Sequence, residues 1–384
     1  MRVFITLFTI LCVALLGYHL VFRSRGRLFH LSGAAFLLVG YLLGPDLLAF
    51  LDETTTTQLY PLMGLVTGWV GFMYGLQIDL SFIKRFNIPF VVTVALDTGL
   101  TLVVFLVGSM ALLPHLGAVR SLTLALIIAA IAGCSSQAAL ALTLEGKLPK
   151  GLAAIMRIAT AGSLLSLGIF AIAFLGSAAL PSGPLAPLEA DPSTIFMTTA
   201  ALVLLYILFL SEKRSQEELL LIVTGMVVLT SGLAVTHHFS PLLANVVTAF
   251  FLGNTTRYRD RILSMVMVLE KPLYLLLLIL LGARTIHVTP TLFLATAIYL
   301  TGRLAIKLVG GLSISLLDER GQMPRLAGTG FLEQGGIAMA ICFDAQNAFA
   351  DPITHKVITA ILMATLASDI IGRISSAQLL EESP

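Results

Sequence analysis

Two short polar patches broken by glycine, Gly133-Cys134-Ser135-Ser136-Gln137 and Glu333-Gln334-Gly335-Gly336, each interrupt an otherwise apolar span near its middle. They lie about 200 residues apart in a chain of 384. Lipid offers nothing to bare backbone N–H and C=O groups, so irregular chain at membrane depth survives only inside protein or along a watery cavity. A pair of interrupted helices in matching halves is the sequence pattern of a substrate site in a secondary transporter.

The rest of the chain places those patches in a membrane. It is 57% hydrophobic and 11% charged, with mean hydropathy +0.97, whereas soluble domains carry about 25% charged residues. A net charge of +2 with no clustered basic loop excludes a nucleic-acid surface. Cys12, Cys134 and Cys342 all fall in apolar spans and make no disulfide framework. His237-His238, the only close histidine pair, reads as a wet external turn rather than a metal site. No nucleophile–base or metal constellation points to an enzyme, and no cofactor or metal is expected. Residues 1–22 lack a small-residue cleavage site and run into Arg23, Arg25 and Arg27, so they read as a retained first helix.

A crossing helix needs about 20 apolar residues. That rule gives thirteen spans, at roughly 1–22, 28–44, 58–80, 88–113, 120–144, 150–177, 194–211, 217–236, 240–255, 266–284, 290–316, 325–349 and 353–373. With this count fifteen lysines and arginines fall in alternate loops and at the end of the chain (from Arg23 to Arg373), and four (Arg2, Arg120, Arg284, Lys356) on the opposite side. Positive charge marks the cytoplasmic side. The expected placement is therefore a multi-pass inner-membrane protein, N-terminus outside and C-terminus cytoplasmic. Residues 1–177 and 217–384 read as two inverted repeats joined by a connector helix at 178–216, with the broken span fifth of six in each. No soluble regulatory domain is expected.

Ionisable groups inside the spans are expensive, costing roughly 2.5–3.5 kcal/mol even on a lenient scale, and are functional by default. The candidates are Asp97, Arg157, Arg303, Lys307 and Glu333. Arg303 and Lys307, four apart, share a helix face, so each needs an acid or a ring of carbonyls. Asp97 in span 4 and Arg303 in its counterpart, span 11, lie about 205 residues apart, and an internal ion pair between them for packing is one reading. In the other reading Lys307 gains and loses a proton, a part arginine cannot play. Asp344 and Asp369 lie near span ends and read as wet. At the breaks, free half-helix ends carry partial charges, and Ser135, Ser136 and Gln137 add hydroxyl and amide ligands around room for a small ion. Close serine–glycine helix packing is the bland alternative.

At these residues the chain resembles the cation:proton antiporter superfamily, in particular its second branch of Kef-type potassium efflux and bacterial sodium/proton exchangers. Gly71-Phe72-Met73-Tyr74-Gly75-Leu76-Gln77-Ile78-Asp79 followed by Lys84-Arg85 is similar to the family's glycine-leucine-acid turn. Leu332-Glu333-Gln334-Gly335-Gly336-Ile337-Ala338 is similar to its second broken helix, and Gly302 to Gly311 around Lys307 to the helix that supplies a buried lysine. The resemblance implies a homodimer, with a dimerisation domain and a mobile core domain holding the crossed helices. Two departures stand out. Span 6, where the family carries its proton on an aspartate, has no carboxylate, and Ile337 replaces the glutamate of the second broken helix, although Glu333 stands one turn earlier.

The resulting expectation is an all-α integral membrane fold of about 13 transmembrane helices, two inverted repeats with crossed discontinuous helices, as in sodium/proton antiporters. The expected activity is exchange of Na+ or K+ for a proton by alternating access. Ser135, Ser136, Gln137, Thr160, Ser163 and Gln334 would line the site. Asp97 or Glu333 would supply the acid, Lys307 would compete with the cation for it, and Arg303 would stand beside them. Alternatives are a carrier of an anion or neutral solute, or a transport-inactive relative serving as membrane subunit, sensor or scaffold with an unknown partner.

Overall fold

The computed structural model describes residues 32–44, 48, 58–80, 87–118, 121–136, 150–178, 215–237, 239–285, 290–318, 323–324, 326–349 and 352–382. Each expected span that falls on these residues contains helix, interrupted at 134–136 and 332–334. Spans 1–22 and 194–211, and Gln137 with the second half of span 5, lie outside the described residues. Five helical stretches are long and apolar enough to cross a membrane: Ile88–Leu116, Gly151–Gly176, Gln216–Thr236, Pro290–Leu317 and Pro352–Gly372. The bent pair Arg259–Glu270 and Pro272–Ala283 makes a sixth among the described residues. This is a multi-pass membrane protein.

The chain forms two compact units, and each draws on both halves of the sequence. The first comprises Met1–Lys84 and Pro181–Ile286. Its described helices are α1 (Ser32–Leu43), α2 (Tyr60–Gln77), α7 (Gln216–Thr236), α8 (Pro241–Thr255) and α9 (Arg259–Thr285). Ser215 and Glu218 close a capping box at the start of α7, and Ser240 caps α8 ahead of Pro241. Small residues let the backbones touch: a Cβ at Gly71 of α2 would overlap the Leu242 carbonyl of α8. The Gly75–Asp79 turn after α2 is held by α8 and α9. Asn254 brackets it through Leu80 N and Ile78 O, and Arg259 donates to Leu76 O and Gln77 O and pairs with Asp79 at 2.8 Å.

The second unit comprises Arg85–Leu180 and His287–Pro384. It contains α3 (Ile88–Val94), a π-helical segment (Ala95–Gly99), α4 (Leu100–Leu112), α5 (Ser121–Gly133) and α6 (Lys150–Ala178). Its second stretch supplies α10 (Pro290–Leu317), a 3-10 turn (Ala327–Phe331), α11 (Gly335–Ala348) and α12 (Pro352–Glu382). At about 1.5 Å per residue, the 13 residues of α5 and 14 of α11 reach roughly 20 Å, two-thirds of a ~30 Å hydrocarbon layer. Each is shorter than a full crossing and adjoins a non-helical stretch, 134–136 after α5 and 332–334 before α11. Helix α12 ends nine residues beyond the expected 373, at Glu382. Asp369, expected near a wet end, therefore lies well inside the helix and is buried, as is Asp344 on the enclosed α11.

Candidate functional site

The two breaks meet inside the second unit. Ser136 N donates to Glu333 O at 2.6 Å, and in return the Gln334 side chain donates to Ile131 O at 2.6 Å. Ser135 Oγ reaches Phe331 O at 3.1 Å. Ser163 of α6 clamps the first break from the side, donating to Ser135 O (2.7 Å) and accepting from Ser135 N (3.1 Å). Gly335 starts α11 with φ of 68°, a left-handed conformation that favours glycine. A Cβ there would also run into Ser136. Glycine at this position satisfies the backbone and the crossing together.

Fixed charges cover the exposed ends of the broken helices. The Arg303 guanidinium, fully buried on α10, donates to Ala132 O (3.1 Å) and Cys134 O (2.8 Å) at the end of α5. It also donates to Phe331 O (3.2 Å) and Leu332 O (2.6 Å) before the second break, and to Ser368 Oγ at 2.7 Å. Those bonds use all five donors of the guanidinium. Carbonyls with partial negative charge thus receive the one cation whose geometry matches several of them. At the opposite polarity, Asp369 of α12 accepts from Gln334 N (2.6 Å) and Gly335 N (3.3 Å). Asp369 works as an acidic cap for α11.

One turn along α10, Lys307 Nζ lies 2.8 Å from Asp97 Oδ2, with both side chains at 0% exposure. The ammonium also reaches Gly133 O at 3.4 Å and stands 6.0 Å from the centre of the Phe331 ring. Asp97 accepts a second bond on Oδ2 from Thr98 at 3.0 Å. The buried pair is therefore Asp97–Lys307, and Arg303 takes the ring of carbonyls instead of the aspartate. The guanidinium fork spans carbonyls from both breaks, while the Lys307 ammonium reaches Asp97 of the π segment and Gly133 O.

The remaining expected site residues are more scattered. Glu333 and Ser136 are buried at the crossing. Thr160 is half-buried and donates to Met156 O within its own helix at 2.9 Å. Arg157 is exposed. Sequence reasoning passed over Ser368, Asp369 and Thr98. A signal existed for the first two: Thr365, Ser368, Asp369 and Gly372 recur at i, i+3, i+4 and i+7, a polar and small stripe on an apolar helix.

No family model and no curated protein matches the chain. Among solved structures it is similar to the sodium proton antiporter MjNhaP1 from Methanocaldococcus jannaschii at pH 8, with a TM-score of 0.64 and 15% identity. That alignment covers 100% of this chain and 99% of the other. The chain has the fold of that antiporter. An electron-microscopy structure of the same antiporter aligns with a TM-score of 0.57 at 14% identity, over 91% of this chain and 89% of that one. The likeness runs the whole length of the chain and is one of fold.

Proposed function

We propose that the protein exchanges a monovalent cation, Na+ or K+, for a proton, with Asp97 and Lys307 as the exchanging pair. The observation that carries this reading is a fully buried carboxylate–ammonium pair beside the point where two helix breaks meet. Two charges out of water are a poor packing device, since apolar residues of similar volume do as well or better. Of the two cations buried among the described residues, Arg303 and Lys307, Lys307 is the one that can lose its proton.

Charge balance then dictates the exchange. With Lys307 protonated, the pair is neutral and empty. A cation arriving at Asp97 displaces the ammonium, which releases its proton to water, and the loaded site is again neutral. Each state that crosses a low-dielectric interior carries no net charge, and one cation moves for one proton. Arg303 and Asp369 take no part in the cycle and hold the broken ends in place. Asp369 also speaks against an anion carrier: the N–H groups of Gln334 and Gly335, the natural anion cradle of a half-helix, already bind a carboxylate.

Other expectations rest on the same reading. The likeness to an antiporter named for sodium supports a cation substrate, and the resemblance to exchangers supports a homodimer. Alternating access would carry the site from one side of the inner membrane to the other.

The test is purified protein in liposomes with an imposed pH gradient and an internal pH-sensitive dye, challenged in turn with sodium, potassium, lithium and chloride salts. Sodium or potassium should collapse the gradient, and changing the anion should make no difference. Silence toward every cation from mildly acidic to mildly alkaline pH would sink the reading in favour of a transport-inactive membrane subunit.

A further inference from the structure

Asp97 lies in the π-helical segment Ala95–Gly99, where the wider turn buries two consecutive side chains, Asp97 and Thr98. Single π turns inside α-helices are frequent at functional sites. The two oxygens of Asp97 are treated unequally. Oδ2 receives both the Lys307 ammonium (2.8 Å) and the Thr98 hydroxyl (3.0 Å), while Oδ1 is buried with no hydrogen-bond partner. An unmet carboxylate oxygen in an apolar interior calls for an explanation. Helix α6 supplies the geometry around it. A Cβ at Gly162 would overlap Thr98 Oγ1, so a larger residue would push the hydroxyl off Oδ2. Helix α6 has no carboxylate of its own; it makes room for one that reaches in from the neighbouring helix.

We propose that Thr98 and Gly162 are positioning residues for the exchange. The bare Cα of Gly162 admits the Thr98 hydroxyl, which shares Asp97 Oδ2 with Lys307 and leaves Oδ1 as the atom that meets the incoming cation. The inference rests on the exchange reading and adds to it which oxygen binds and what orients it. Thr98 touches neither the cation nor the proton; its effect runs through the carboxylate.

The experiment is cation-dependent exchange in liposomes, with rates fitted for apparent KM and maximal rate. Thr98→Val keeps the shape and removes the hydroxyl. It should raise the KM for the exchanged cation about fivefold or more while the maximal rate changes less than about twofold, the signature of lost binding rather than lost turnover. Thr98→Ser restores the hydroxyl and should return the KM to the native value, and Gly162→Ala should behave like Thr98→Val. Should Thr98→Val fail to insert, Thr98→Ala, which adds no bulk, carries the same expectation. A native KM in Thr98→Val, or Thr98→Ser as impaired as Thr98→Val, overturns the proposal, and a native KM in Gly162→Ala overturns the part given to the glycine. A native protein that moves no cation sinks the exchange reading and this inference together. A native protein that exchanges while Thr98→Val matches it sinks the inference alone.

Discussion

Lys307 Nζ and Asp97 Oδ2 stand 2.8 Å apart across 210 residues of sequence, and neither side chain touches solvent. Breaking such a pair from one side leaves a bare buried charge and costs about 3–5 kcal/mol, whereas replacing both partners with apolar residues is often neutral or better. This separates packing from exchange. Asp97→Leu alone should lower the thermal unfolding temperature in detergent sharply, and Asp97→Leu/Lys307→Met should recover most of the loss. Both variants should be inactive in liposomes. Exchange at the native rate in the well-folded double variant would remove the pair from the mechanism.

Arg303 is the least replaceable residue of the crossing. Lysine keeps the charge but offers three donors from one point, against five in a fixed fork. Arg303→Lys should lose at least two of the five charge-assisted bonds, at about 1.5–3 kcal/mol each. Thermal unfolding should place it well below Lys307→Arg, which keeps charge and donors at a site that needs fewer. If Arg303→Lys unfolds with the native protein, the carbonyl ring is not what the guanidinium stabilises.

How far the sequence reveals this site depends on which physical signal each residue carries. The breaks are legible because glycine and polar residues stand out in apolar spans, and Lys307 and Arg303 because charge in a membrane is expensive. Their partners are not legible. Helical spacing puts 303 and 307 on one face, but which of them meets the acid is decided by long-range packing around the π turn that carries Asp97. Asp369 looked wet because apolar composition fades near 373, yet α12 continues to Glu382. Hydropathy marks where lipid ends, and a helix can run on past that point.

Asp369 caps the two N–H groups that open α11, so its variants should grade by what they can accept. Asn retains an acceptor oxygen and loses the charge; Ala loses both. Losing a cap costs about 0.5–2 kcal/mol, so Asp369→Asn should sit between native protein and Asp369→Ala in unfolding temperature. Because the carboxylate repels anions from that helix end, chloride should stabilise Asp369→Ala against heat more than it stabilises the native protein. Equal chloride effects would show that the helix end is not an available anion site even when uncapped.

Gly335 is constrained twice, by a φ of 68° and by contact with Ser136. A left-handed backbone costs a residue with a Cβ roughly 1–2 kcal/mol, and the overlap adds to that. The two costs are separable, since Ser136→Gly removes the neighbour and leaves the backbone strained. Gly335→Ala should therefore unfold at clearly lower temperature than the native protein, and Gly335→Ala/Ser136→Gly should regain part of the difference beyond what Ser136→Gly does alone. Strictly additive effects in that cycle would mean the two breaks do not press on each other at this point, and that the Ser136 N to Glu333 O bond holds the crossing without help from the glycine.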